Sequence, residues 1–301
     1  MTAALDAPGI ALRSDALIAL RRVIMNAETA PVLANLPGGY ATRRKGHGLE
    51  VADMREYVAG DDVRHLDRNS TARTGRLHIR QFQEERDRVS LLIADFRPAM
   101  FWGLRRAFRS VAAAEALSLI GWSIVESGGR VGLLAITYEG SVIVPPRGRA
   151  RGMLDVIGGM VEAHANSLAA MAGNGAQTQA LDIGLSRAEK LVPSGAELII
   201  ASGFDTPGPG LADRLNALAR RRTPRLVLIT DQSTSHMPRG RYPVRLADGR
   251  RLRLSLGGAG GAEFPPVQSI AGYPALTLDA GEPVEQTARR IRAVFQREQA
   301  A

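Results

Sequence analysis

Ser90-Leu-Leu-Ile-Ala-Asp95 is an unbroken apolar run that ends in an acid. A strand built from such a run has no polar face, so both of its faces must be covered, as in the centre of a parallel sheet. Downstream, strand patterns at Arg130 to Thr137, Glu197 to Ser202 and Arg225 to Asp231 alternate with helix patterns at Leu104 to Glu126, Gly152 to Ala165, Thr178 to Val192 and Leu211 to Arg220. Ser141 to Val144 reads as a short partner strand across the Glu139-Gly140 turn. Arg241 to Leu256 alternates at Val244, Leu246, Leu252 and Leu254 around an Asp248-Gly249 hairpin turn. Pro283 opens a last helix with Val284, Ile291, Val294 and Phe295 on one face. Strands alternating with helices predict an α/β, doubly wound, mostly parallel sheet. Ligands of such sheets bind at the carboxyl ends of the strands, here Asp95 to Met100, Asn174 to Thr178 and Ser202 to Asp205.

Upstream of the run the character changes. Residues 46–87 read GHGLEVADMREYVAGDDVRHLDRNSTARTGRLHIRQFQEERD. Between Glu50 and Arg88 nine acids face eight arginines, a balance that predicts an internally paired network and not a phosphate-binding strip. Asp61 or Asp62, after Gly60, is placed to cap a short helix carrying Arg64 and Arg68 beside Asp67. Thr74-Gly75 breaks that helix, and Leu77, Ile79 and Phe82 read as a strand with His78 and Arg80 on its polar face. Further upstream, Ser14 to Asn26 reads as an amphipathic helix with Leu17, Leu20 and Ile24 on one side. Pro31 to Gly39 reads as a linker and Arg43-Arg44-Lys45 as a solvated turn. The division predicted is a small N-terminal α+β appendage over 1–88 and the large sheet domain over 89–301.

The charged stretch carries a resemblance. Glu50, Arg55-Glu56-Tyr57, Gly60-Asp61-Asp62-Val63-Arg64, Leu66-Asp67, Thr71-Ala72-Arg73, Leu77, Arg80 and Glu84-Glu85-Arg86-Asp87 are similar to the signature block of the bacterial family catalogued as domain of unknown function 58. The family usually has Trp after the Leu-Asp pair, where this chain has Arg68. The resemblance implies a von Willebrand factor A-like (Rossmann-like) domain after the block. In that fold a Mg²⁺ or Mn²⁺ sits on a D-x-S-x-S loop, a Thr and a later Asp. Here Asp95 matches the first acid, Arg97 and Ala99 occupy the serine positions, Thr178 matches the Thr, and Gly203 stands where the late acid is expected, with Asp205 two residues on. The expectation is a degenerate site in which the Arg97 guanidinium stands in for the ion, paired with Asp95 or Asp205, and no metal or other cofactor. The alternative is that Asp95 caps the following helix. The resemblance also implies a non-enzymatic adaptor that acts with a MoxR-type AAA+ ATPase on an unknown client protein. Its contact residues would be Glu50, Arg55, Tyr57, Asp61, Asp62, Arg64, Asp67, Arg73, Arg80 and Glu85.

Bulk properties bound the rest. The 301 residues are 45% hydrophobic and contain no cysteine, which excludes disulfides, zinc-thiolate sites and thiol nucleophiles. No signal peptide and no membrane span is expected, since the most apolar stretch, Ser110 to Val125, is shorter than the roughly 20 residues a bilayer needs; cytoplasm is the expected compartment. No P-loop, H-E-x-x-H or G-x-S-x-G motif occurs, so no catalytic constellation is expected. The enzyme alternative is a hydrolase using Asp61, Asp62 and His65. Nearby arginines favour ionised, structural carboxylates there. The net charge of +9 is concentrated: from Arg220 to Arg253 ten arginines face Asp231 and Asp248. That window could draw an acidic protein, nucleic acid or an anionic membrane face. Tyr242 is its one aromatic, so stacking on single strands has little support, and a solvated basic face is the first reading.

Overall fold

The structure is a computed structural model that describes residues 6–27, 50–58, 63, 66–83, 88–172, 179–245, 250–256 and 265–295. The chain forms two compact units, Met1–Gly39 with Arg88–Ala301, and Tyr40–Asp87.

In the larger unit seven strands form one sheet in the order β10-β11-β7-β6-β3-β4-β5. The strands are β3 (Val89–Phe96), β4 (Arg130–Thr137), β5 (Ser141–Gly148), β6 (Glu197–Ser202), β7 (Thr223–Thr230), β10 (Val267–Ile270) and β11 (Tyr273–Asp279). β11, β7, β6, β3 and β4 run parallel, and the edge strands β5 and β10 are antiparallel to their neighbours. β3 is central and every residue of it is buried, as its apolar run predicts. Its side chains alternate between two cores. Leu92, Ala94 and Phe96 join residues of α1 (Ser14–Asn26), α3 (Arg109–Glu126), α4 (Arg149–Ala172) and α8 (Val284–Phe295). Val89, Leu91 and Ile93 join residues of α5 (Leu181–Leu185), α6 (Ala188–Leu191) and α7 (Leu211–Ala219) on the other face. The result is a mixed α/β fold with a largely parallel, Rossmann-like sheet flanked by helices.

Three elements differ from the sequence reading. α3 begins at Arg109, not Leu104, because the stretch before it is pinned from outside: the Leu104 amide donates to Asp231 at 2.7 Å and the Phe108 amide to the Gly9 carbonyl at 2.8 Å. The helix read from Thr178 to Val192 is two short ones, separated where the Ser186 hydroxyl donates to the Ile183 carbonyl at 2.6 Å. α1 lies in the larger unit, with buried Leu17, Leu20 and Ile24 in the core beside α3 and α8, so the appendage read as 1–88 is shorter by its first helix. No helix among the described residues is long and apolar enough to cross a membrane.

The smaller unit pairs β1 (Glu50–Glu56) with β2 (His78–Gln83) antiparallel, with α2 (Arg68–Thr74) between them in sequence. Asp67 caps α2: its carboxylate accepts from the Ser70 amide at 2.7 Å, while the cap read at Asp61 or Asp62 lies outside the described residues. Gly75 ends the helix in the left-handed region at φ 71°, which its missing Cβ permits. A small separate hairpin pairs β8 (Gly240–Arg245) with β9 (Arg251–Leu256); Leu246, Asp248 and Gly249 lie outside the described residues.

In the larger core, His164 of α4 is buried, accepts or donates a hydrogen bond with Ser110 Oγ at 3.0 Å, and lies against the rings of Phe96 and Phe101. Burial pushes its pKa down to about 4, so it stays neutral in the fold. The unfolded chain binds that proton below about pH 6.5. Stability is therefore whole above that pH and is lost as pH falls toward 4, by up to about 3 kcal/mol. Urea denaturation from pH 7 to 4.5 should show this slope, and His164→Gln should flatten it.

Candidate functional site

The carboxyl end of β3 delivers Asp95 and Arg97 to the top of the sheet, and both are buried, with side-chain exposures of 2% and 1%. The guanidinium grips the carboxylate with two parallel bonds, Nε to Oδ1 at 2.8 Å and Nη2 to Oδ2 at 2.8 Å. The Arg97 amide also donates to Oδ1 at 3.1 Å. The free side of the fork reaches outward: Nη1 donates to the Gln179 carbonyl at 3.1 Å, the Thr206 carbonyl at 2.8 Å and Thr206 Oγ1 at 3.0 Å. One arginine thus ties β3 to the segment before α5 and to the loop after β6. Lysine, a point donor, could not make this planar set of contacts.

Ser202, last residue of β6, completes the carboxylate. Its hydroxyl donates to Asp95 Oδ2 at 2.6 Å and accepts the Phe204 amide at 2.9 Å. Phe204 follows with φ 52°, a conformation rare for a residue with a side chain, and Asp205 comes next. Asp205 does not join Arg97. Its partner is Arg109, the first residue of α3, with Nη1 to Oδ1 at 3.2 Å and Nη2 to Oδ2 at 2.8 Å. Arg109 Nε donates to the Ile229 carbonyl at 2.9 Å, so this second arginine joins α3, the end of β7 and the loop after β6. Its guanidinium lies 5.1 Å from the Trp102 ring centroid. Gly203 is small because it must be: a Cβ there would lie 1.3 Å from Arg109 Nη2. Asp205 remains 45% exposed and Trp102 36% exposed, so the outer rim of this arrangement faces solvent.

Asp182 anchors the same loop further on, accepting the Gly210 amide at 2.9 Å. At Gly208, with φ 86°, any Cβ would lie 2.2 Å from the Asp182 carboxylate. Asp231 caps the turn after β7 by accepting the Ser233 amide at 3.0 Å. Each of these acids is engaged by backbone amides. Among the described residues no cluster of three or more His, Asp or Glu has the arrangement to hold a metal ion.

The structure therefore brings Asp95 and Arg97 together, sets Asp205 in a separate ion pair, and Thr178 lies outside the described residues. Asp95 does not cap a helix: the turn Pro98–Met100 that follows has Arg97 at its N-cap position. Of the signature residues, Asp67 is buried as the α2 cap, Tyr57 is half-buried and Arg73 is exposed on α2. Glu50, Arg55 and Arg80 lie on the β1–β2 ladder by their backbones. Asp61, Asp62, Arg64, His65 and Glu85 lie outside the described residues. Arg76 pairs with Glu56 at 2.8 Å, an exposed contact that holds the Glu56 carboxyl below its ordinary value. Arg109 was missed in the sequence because its partner is 96 residues away and no short motif marks it.

Removing one member of a buried ion pair strands the other charge at a cost of about 3–5 kcal/mol. Arg97→Met should lose stability on that scale in urea denaturation at pH 7. Asp95→Leu combined with Arg97→Met should recover more than half of the loss, because the stranded carboxylate is gone.

Residues 53–251 match the profile of the family described as "Protein of unknown function DUF58". Uncharacterized proteins of Mycobacterium tuberculosis and Mycobacterium bovis are 33% identical to this chain over 105 residues, 34% of this chain and 32% of each relative. The match thus spans about a third of the length of these curated relatives. No solved structure matches the chain. With the family profile covering 199 of the 301 residues, the chain belongs to the DUF58 family.

Proposed function

We propose that this chain is a cytoplasmic, non-enzymatic protein-binding adaptor that works with a MoxR-type AAA+ ATPase on a client protein. On this reading the sheet is a von Willebrand factor A-like domain whose metal site has been replaced by a guanidinium. The observation that supports it is the buried grip of Arg97 on Asp95. A hard cation needs several oxygens free to turn toward it. Here both carboxylate oxygens are taken by Arg97, and one of them also by Ser202. A divalent ion does not fit this donor set beside a fixed positive charge.

What such a top can do is present a shape. Two guanidiniums lock the loops, and Asp205 and Trp102 stand at the rim with an acid and an aromatic for a partner to meet. Aromatic and arginine side chains at rigid, partly exposed positions are the usual anchors of protein interfaces. Ser110 and His164, the one serine–histidine pair bonded among the described residues, are sealed in the core and carry no carboxylate partner, so they support no hydrolase.

Immobilised chain should capture the purified MoxR-type ATPase in the presence of nucleotide. Arg73→Ala, at an exposed position on α2, should weaken capture by about ten-fold with unchanged melting behaviour. Absence of capture in every nucleotide state would contradict the reading. Separately, calorimetry should detect no Mg²⁺ binding by the parent chain, and Arg97→Ser with Ala99→Ser, which restores the serine pattern, should create it.

A further inference from the structure

The β8–β9 ribbon exposes residues on both faces, with Tyr242 and Val244 half-buried. Its register sets Tyr242 opposite Leu254 and Val244 opposite Leu252, and sets Arg241 opposite Ser255, Pro243 opposite Arg253 and Arg245 opposite Arg251. Side chains alternate across a strand, so the first set shares one face and the second the other. On the apolar face Leu252 and Leu254 are 40% and 38% exposed, and none of the four residues belongs to either core of the sheet domain. On the other face Arg241, Arg251 and Arg253 are exposed, and among the described residues no carboxylate pairs with any of them. A two-stranded ribbon that joins neither core among the described residues is marginal in water. A ribbon that pairs with no third strand among the described residues and carries an apolar face also invites association.

We propose that this ribbon docks on an anionic lipid surface, with Tyr242, Val244, Leu252 and Leu254 at the boundary of headgroups and acyl chains and the arginines among the lipid phosphates. Charge chooses the class of partner: the window from Arg220 to Arg253 holds ten arginines against two acids. The two faces choose between partners of that class. They point in opposite directions, so a nucleic-acid backbone or a rigid acidic protein that satisfied the arginines would leave the leucines in water. A bilayer interface is a layer several ångströms deep in which an apolar boundary and phosphates lie close together, and long arginine stems bridge the two. Tyr242 suits that depth, with an apolar ring and a hydroxyl that here donates to the Pro238 carbonyl at 2.7 Å. Contact of this kind is peripheral and needs no spanning helix. It rests on different residues from the adaptor reading and stands or falls separately.

The test is co-sedimentation of the full chain with vesicles of phosphatidylcholine alone and of phosphatidylcholine with phosphatidylserine. The chain should pellet with the anionic vesicles at low salt, weaken as salt rises, and stay in solution with the neutral ones. Arg251→Ser with Arg253→Ser should lower partitioning by about 30-fold, at roughly five-fold for each arginine near an anionic leaflet. Leu252→Ser with Leu254→Ser should lower it by at least about ten-fold. All four positions are exposed, so the melting curves of these variants should overlay the parent's. Absence of pelleting with anionic vesicles would overturn the proposal without need of any variant. So would full binding by the leucine variant with duplex DNA or an acidic protein displacing the vesicles, which would assign the arginine face to a soluble polyanion.

Discussion

A carboxylate and a guanidinium out of water at the end of the central strand set the terms for everything above the sheet. Burying either alone would be prohibitive, and burying both is tolerable only when every donor and acceptor is matched. Asp95 and Arg97 meet that condition with bonds to each other, to Ser202 and to the backbone of two separate loops. The loops are held because the arginine has no other way to satisfy its fork. The position carries a charge, and the surrounding backbone is arranged as its solvent.

The second arginine extends the same logic outward. Arg109 starts α3, spans to β7 and reaches Asp205, so the loop after β6 is fixed from two sides. Gly203 gives way to it and Phe204 takes an uncommon backbone angle next to it. Strain of this kind persists where neighbours over-determine the conformation. The consequence is a rim held from two sides with a few groups exposed at its edge.

Much of the sheet was legible because burial on both faces writes an apolar run, as in Ser90 to Asp95 and Glu197 to Ser202. The amphipathic helix at Ser14 to Asn26 was legible for the same reason, one period removed. β11 was not read, because Tyr273-Pro-Ala-Leu-Thr-Leu-Asp mixes polar residues into a strand whose order in the sheet is set by β7 beside it. The start of α3 escaped because it is decided by contacts with Gly9 and Asp231, far off in sequence. At the site, Asp95 and Arg97 could be named from local pattern, since they are two residues apart. Which acid Arg97 would choose could not, and Arg109, the partner of the other acid, left no trace at short range.

The most direct test of the account is the Arg97 side-chain Nε–H resonance in a nitrogen–proton correlation spectrum, assigned by its loss in Arg97→Met. A guanidinium buried against Asp95 should give a sharp signal, slow to exchange with water at neutral pH, that stays unbroadened when paramagnetic Mn²⁺ is added at millimolar concentration. A signal that exchanges as fast as those of surface arginines, or one that Mn²⁺ erases selectively, would contradict the claim that this arginine is buried and fully bonded against Asp95.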